Sequence, residues 1–157
     1  MKTVRLYADT SVFGGCFDDE FAVPSRALFR EVAKGRFRLV LSATTMRELA
    51  KAPDHVRALL ADIGEENLEL VPESDEIDDL RDAYLEAHVV GPACSADAEH
   101  IAAASVAAVD LVVSWNFKHI VHFDKIRLYH AVNLVQGYHS IPIHTPQEVV
   151  DDEREEL

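Results

Sequence analysis

Two periodicities alternate along the chain. Val4-Arg5-Leu6-Tyr7-Ala8 is a short β-branched and apolar run closed by Asp9, which predicts a first strand with Thr10 and Ser11 as turn or helix-entry residues behind it. From Ser25 to Lys34 the apolar positions Ala27, Leu28, Val32 and Ala33 recur at helical spacing and stop at Gly35, the place of a helix C-cap. Phe37 to Leu41 predicts a second strand. Thr45 opens a helix with Met46, Leu49 and Ala50 inward, ending near Pro53. Val56 to Ile63 forms another before Gly64, and Leu68 to Val71 a third strand.

Beyond that point Ile77, Leu80, Tyr84 and Ala87 recur every three or four positions, as an amphipathic helix over Asp75 to His88 requires. Asp97 to Ala108 is nearly uniformly apolar and predicts a helix packed between neighbours, followed at once by the strand Leu111 to Ser114. A helix over Asp124 to Gln136 and an edge strand at Ile141-Pro142-Ile143 complete the pattern. This rhythm implies a single three-layer α/β domain over residues 1–147, with a mostly parallel sheet covered on both faces and an acidic tail over 148–157. In such sheets the ligand crevice lies beyond the carboxyl ends of the strands, where Asp9, Ser114 and Asn116 fall.

A length of 157 residues, 48% apolar, suits one domain with a sizeable core. The apolar runs are too short to cross a bilayer and no apolar signal core opens the chain, so a cytoplasmic protein with no membrane partner is expected. Cys16 and Cys94 form no Cys-x-x-Cys pair and suit a reducing compartment, which argues against cysteine chemistry as the function. A net charge of −13 appears adverse to a nucleic-acid partner, but it is regional. Arg26 to Lys51 holds seven basic residues against two acids, whereas Glu73 to Glu86 and Glu148 to Leu157 together carry −11.

Each candidate acid has an ordinary reading beside a chemical one. Asp9 after a strand is equally a turn or N-cap residue. Glu48 closes a Thr45-x-x-Glu48 capping-box pattern, and Asp97 is a first-turn acid that suits the helix dipole. Together they stand at the starts of elements converging on one end of the sheet. Carboxylates gathered in one crevice repel each other unless a cation is present, and hard oxygen ligands suit Mg²⁺ or Mn²⁺. Such an ion lowers the pKa of water and stabilises charge on a phosphate, so hydrolysis needs no nucleophilic side chain.

The chain here resembles the PIN-domain nucleases, including the VapC toxins of toxin–antitoxin pairs. The resemblance is carried by Leu6-Tyr7-Ala8-Asp9-Thr10-Ser11-Val12-Phe13, by Thr45-x-x-Glu48 and by Ser95-Ala96-Asp97-Ala98-Glu99-His100-Ile101. The run Leu111-Val112-Val113-Ser114-Trp115-Asn116 completes it. It implies a PIN-like fold, an RNA substrate, Mg²⁺ or Mn²⁺ held by Asp9, Glu48 and Asp97, and hydroxyl support from Thr10 or Ser11 and from Ser114. It also implies an antitoxin partner and a homodimer. Where the family commonly carries an Asp after the fourth strand, this chain has Asn116 and then Lys118, which leaves the site one charge poorer. Asp124 substitutes only if its loop folds back.

His100, three residues after Asp97, either supports a metal ligand or is a polar residue at a helix edge. His119 and Lys118 can bring positive charge to a phosphate, and Arg30, Lys34 and Arg38 either track an RNA backbone or face solvent. Trp115 and Phe117 stack on a base or plug the core. Leu85 and Val89 suggest a dimer seam or a deeper core. Two readings from other classes stand against the ribonuclease: a non-catalytic PIN-fold binding module that lost its fourth acid, and a phosphoacceptor receiver domain. The receiver fits poorly, since Asp9 follows Ala8 and His144 follows the last strand.

Overall fold

The strands observed in the computed structural model, which describes residues 2–151, are β1 (Val4–Ala8), β2 (Phe37–Ser42), β3 (Leu68–Val71), β4 (Leu111–Val113) and β5 (Ile143–His144). The helices are α1 (Thr10–Gly15), α2 (Ala22–Ala33), α3 (Ala43–Ala50), α4 (Asp54–Arg57), α5 (Asp75–Glu86), α6 (Ser95–Val106), α7 (Phe123–Gln136) and α8 (Pro146–Asp151). All the strand pairs are parallel, in the order β3-β2-β1-β4-β5.

Alternation along the strands builds two cores. Leu6, Ala8, Leu39, Leu41 and Val113 face one side, with Val12 and Phe13 of α1, Leu28 of α2 and Leu49 of α3. Tyr7, Val40 and Val112 face the other, with Leu80 and Tyr84 of α5, Ile101 of α6 and Tyr129 of α7. The sheet is thus the middle of three layers, as the sequence pattern predicts. The chain winds from β1 outward through β2 to β3, then returns to lay β4 and β5 on the opposite side of β1. The topological switch point therefore lies between β1 and β4, at their carboxyl ends.

Several expected boundaries move. α1 is a short helix entered at Thr10, with Asp9 at its N-cap position. The stretch Val56 to Ile63 divides into α4 and a 3₁₀ segment over Ala58–Asp62. At the sheet edge β5 begins only at Ile143, because Pro142 has no N–H to give and contributes its carbonyl alone, to the N–H of Val112 at 2.9 Å. The Thr45-x-x-Glu48 capping box is overturned: β2 runs on to Ser42, which caps α3 by accepting from the Thr45 N–H, so Glu48 lies in the last turn. That pattern is instead realised at Thr145 and Glu148, where Thr145 N–H donates to Glu148 Oε1 at 3.1 Å and Glu148 N–H to Thr145 Oγ1 at 3.3 Å. Glu148 to Asp151 accordingly belong to α8, which lies against α2 with Val150 buried. The rest of the acidic segment, 152–157, lies outside the described residues. Among the described residues no helix is long and apolar enough to cross a membrane.

Candidate functional site

Asp9 is the first residue beyond β1 and is 4% exposed. It occupies the N-cap position of α1, but its side chain makes no capping bond. Ser11 Oγ donates to its Oδ1 at 2.6 Å and Ser114 Oγ to its Oδ2 at 2.7 Å. Both hydroxyls are oriented from behind. Trp115 N–H donates to Ser11 Oγ and Asn116 N–H to Ser114 Oγ, each at 2.9 Å. The loops after β1 and β4 are thereby joined across the switch point, with the Asp9 carboxylate between them. Burial pushes the Asp9 carboxyl above its ordinary pKa, with Asp97 adding to the effect and His100, Ser11 and Ser114 opposing it.

Glu48 reaches the same place from the last turn of α3. Its Oε1 accepts from Thr10 Oγ1 at 3.0 Å and lies 2.5 Å from His100 Nε2. His100, 2% exposed on α6, has its other ring nitrogen 2.6 Å from Tyr7 Oη, and that hydroxyl lies 2.7 Å from Ser42 Oγ. Burial alone would lower the His100 pKa. Tyr7, Glu48 and Asp9 outweigh it and hold the imidazole protonated well above its ordinary range. Both ring nitrogens then donate, one to Tyr7 and one to Glu48. Desolvation likewise works to raise the Glu48 pKa, but His100, Thr10 and Arg47 reverse it, so Glu48 is held as an anion. His100 is therefore not an edge residue but the buried link between Glu48 and the sheet.

Asp97 stands half-buried in the first turn of α6, one turn before His100. Burial raises its pKa, the Asn116 amide and the His119 and His100 charges lower it, and Glu48 raises it again. Asn116 takes a double role: its side chain bonds Asp97 while its Oδ1 accepts from the His119 N–H at 2.9 Å. Where an Asp would add a fourth negative charge, the amide acts as a donor to the third.

Not every expected residue arrives here. Arg30 stands in the last turn of α2 beside Cys16, Asp62 and Ile63, and Lys34 and Arg38 at the amino end of β2, away from the crevice. Lys34 pairs with Glu31, and Arg38 with Glu69 beside Arg5. Asp124 is paired with Arg127, and Asp110 accepts from the Arg5 N–H at the far end of the sheet. Lys118 is exposed in the turn after β4. Trp115 is stacked on Phe21 and donates to Ser25 Oγ, which fixes it in the fold, while Phe117 is 49% exposed. Sequence reading missed Tyr7 and Ser42 as the support of His100, hidden because an inward Tyr in a strand looks like ordinary core. It also missed the cleft of about 430 Å³ beside Glu48, lined by Thr44, Arg47, Ala50, Lys51, Ala96 and Glu99. Arg47 there bridges Glu99 and Glu73, leaving the exposed Lys51 as the cation of its rim.

No family model and no curated protein matches the chain. Among solved structures, the crystal structure of tyrosyl-tRNA synthetase from Aeropyrum pernix is similar over 92% of this chain, at 11% identity and a TM-score of 0.49. The match covers 52% of that chain, so the present sequence spans about half its length.

Proposed function

We propose that this protein is a PIN-type, divalent-cation-dependent ribonuclease that hydrolyses RNA phosphodiester bonds at the carboxyl ends of β1 and β4. The observation that carries this reading is that Asp9, Glu48 and Asp97, from three separate elements at the carboxyl end of the parallel sheet, lie near enough to act on one another's ionisation, Asp97 on Asp9 and Glu48 on Asp97. If all three carboxylates ionise beside the imidazolium, the group carries −2, the charge that one Mg²⁺ or Mn²⁺ neutralises. Asp9 and Asp97 both resist ionisation in the folded chain, and a cation is what would relieve them.

Asp9, Glu48 and Asp97 would hold the ion. When bound, it supplies an activated water and stabilises charge on the scissile phosphate. Ser11 and Ser114 fix the Asp9 carboxylate, so it does not reorient as the ion loads. Thr10 and His100 keep Glu48 ionised and aimed. An RNA strand would enter along the cleft beside Glu48, with Lys51 at its rim and Lys118, exposed in the turn after β4, available for its phosphates. Arg30, Lys34 and Arg38 have no part in this path. An antitoxin partner, a homodimer and a cytoplasmic setting belong to the same reading. For the dimer, Leu128, Leu134 and Val135 of α7 offer exposed apolar surface, whereas Val89 is fully buried.

Calorimetric titration with Mn²⁺ tests the metal site. One binding event is expected for the wild type, with loss of that event in Asp9→Asn and in Asp97→Asn. Equal Mn²⁺ binding by wild type and both variants would refute the shared site.

A further inference from the structure

At Asp97 a second group of ligand-bearing side chains meets. Cys94, Asp97 and His119 bring one sulfur, one oxygen and one nitrogen atom within 4.8 Å of one another. Cys94 Sγ and His119 Nε2 are 3.3 Å apart. A tetrahedral ion with metal–sulfur and metal–nitrogen bonds of about 2.3 and 2.0–2.1 Å separates those two atoms by about 3.5 Å. The thiol and imidazole are thus spaced to share one ion, and the carboxylate completes the third corner by swinging inward.

The parts are held in place from outside the cluster. Cys94 ends the 3₁₀ turn over Pro92–Cys94 and leads directly into α6, so it lies three residues before Asp97 at the same helix start. His119 is pinned on both sides of its backbone: its N–H donates to Asn116 Oδ1 at 2.9 Å, and its carbonyl accepts from Tyr129 Oη at 3.0 Å. Both Cys94 and His119 are half-buried, leaving a path for an ion from solvent. This donor set differs in kind from the three carboxylates: thiolate and imidazole favour zinc-like ions over Mg²⁺ or Mn²⁺.

We propose that Cys94, Asp97 and His119 form a separate site for Zn²⁺ or a similar borderline-soft divalent ion, with a fourth position open to water. Binding displaces the Cys94 thiol proton to solvent. The site shares Asp97 with the acidic crevice but needs neither Asp9 nor Glu48, and it stands whether or not the chain cleaves RNA.

Titration of the purified protein with Co²⁺ as a spectroscopic probe for Zn²⁺ tests it. The expected result is a thiolate-to-cobalt charge-transfer band saturating at one ion per chain and bleached by added Zn²⁺. The band should vanish in Cys94→Ala and in His119→Ala, and persist in Cys16→Ala and Glu48→Gln. Absence of the band in the wild type, or its survival in Cys94→Ala, would overturn the site. Circular dichroism of each variant separates loss of the ligand from loss of the fold.

Discussion

His100 shows how a single buried side chain ties the fold to the site. Its pKa is raised from 6.5 to about 10, because Tyr7, Glu48 and Asp9 together overcome its burial. A histidine raised in this way contributes stability that is fully present below about pH 6.5 and is lost as pH rises through about 10. For the metal-free protein, His100→Gln is expected to flatten the dependence of melting temperature on pH across that window. An unchanged slope would mean that the imidazole is neutral when folded. Asn116 makes a complementary case. Asn116→Asp replaces the donor to Asp97 with a second carboxylate, so the metal-free protein should melt lower while Mn²⁺ binds more tightly. If melting and affinity are both unchanged, Asn116 does not face the crevice.

At the level of elements, what the sequence disclosed follows from what periodicity encodes. The rhythm of strands and helices was legible because burial repeats. Gly35, with φ 83°, ends α2 where the sequence put the stop, but the N-cap of α3 was not legible, since a Ser/Thr-x-x-Glu pattern is equally written at Thr45 and Thr145, and only the continuation of β2 to Ser42 displaces the first. α6 offers a direct test of element termination. Ala108, just beyond it, has a φ of 52° and is exposed, while Arg5 Nη1 donates to the carbonyls of Ala107 and Ala108. A left-handed conformation at a residue with a Cβ costs about 1–2 kcal/mol, part of which glycine returns as chain entropy. Ala108→Gly should therefore raise unfolding free energy in urea by about 0.5–1 kcal/mol. Destabilisation by that substitution would contradict the strained ending.

For the molecule as a whole, topology decides which charges matter. The sequence placed Asp9, Ser114 and Asn116 correctly at strand ends, because position relative to a strand is readable. Arg38 stands near the start of the strand that Ser42 closes, and since each strand residue advances the chain by about 3.3 Å, it lies at the opposite end of the sheet, which the composition of the basic stretch alone does not show. The basic stretch thus divides, with Arg30, Lys34 and Arg38 away from the crevice and Arg47 and Lys51 beside it. The acids of α5 lie on its outer, solvent-facing side, with Ile77, Leu80 and Tyr84 inward. A negative total is therefore compatible with a polyanion approaching one end of the molecule. The most direct test of that function is cleavage of labelled single-stranded and hairpin RNAs by wild type and Asp9→Asn in Mn²⁺, Mg²⁺ or EDTA. Cleavage by the wild type with either metal, abolished in EDTA and in Asp9→Asn, is the expected result. No cleavage under any condition, or equal cleavage by Asp9→Asn, would contradict it and favour a module that binds without turning over.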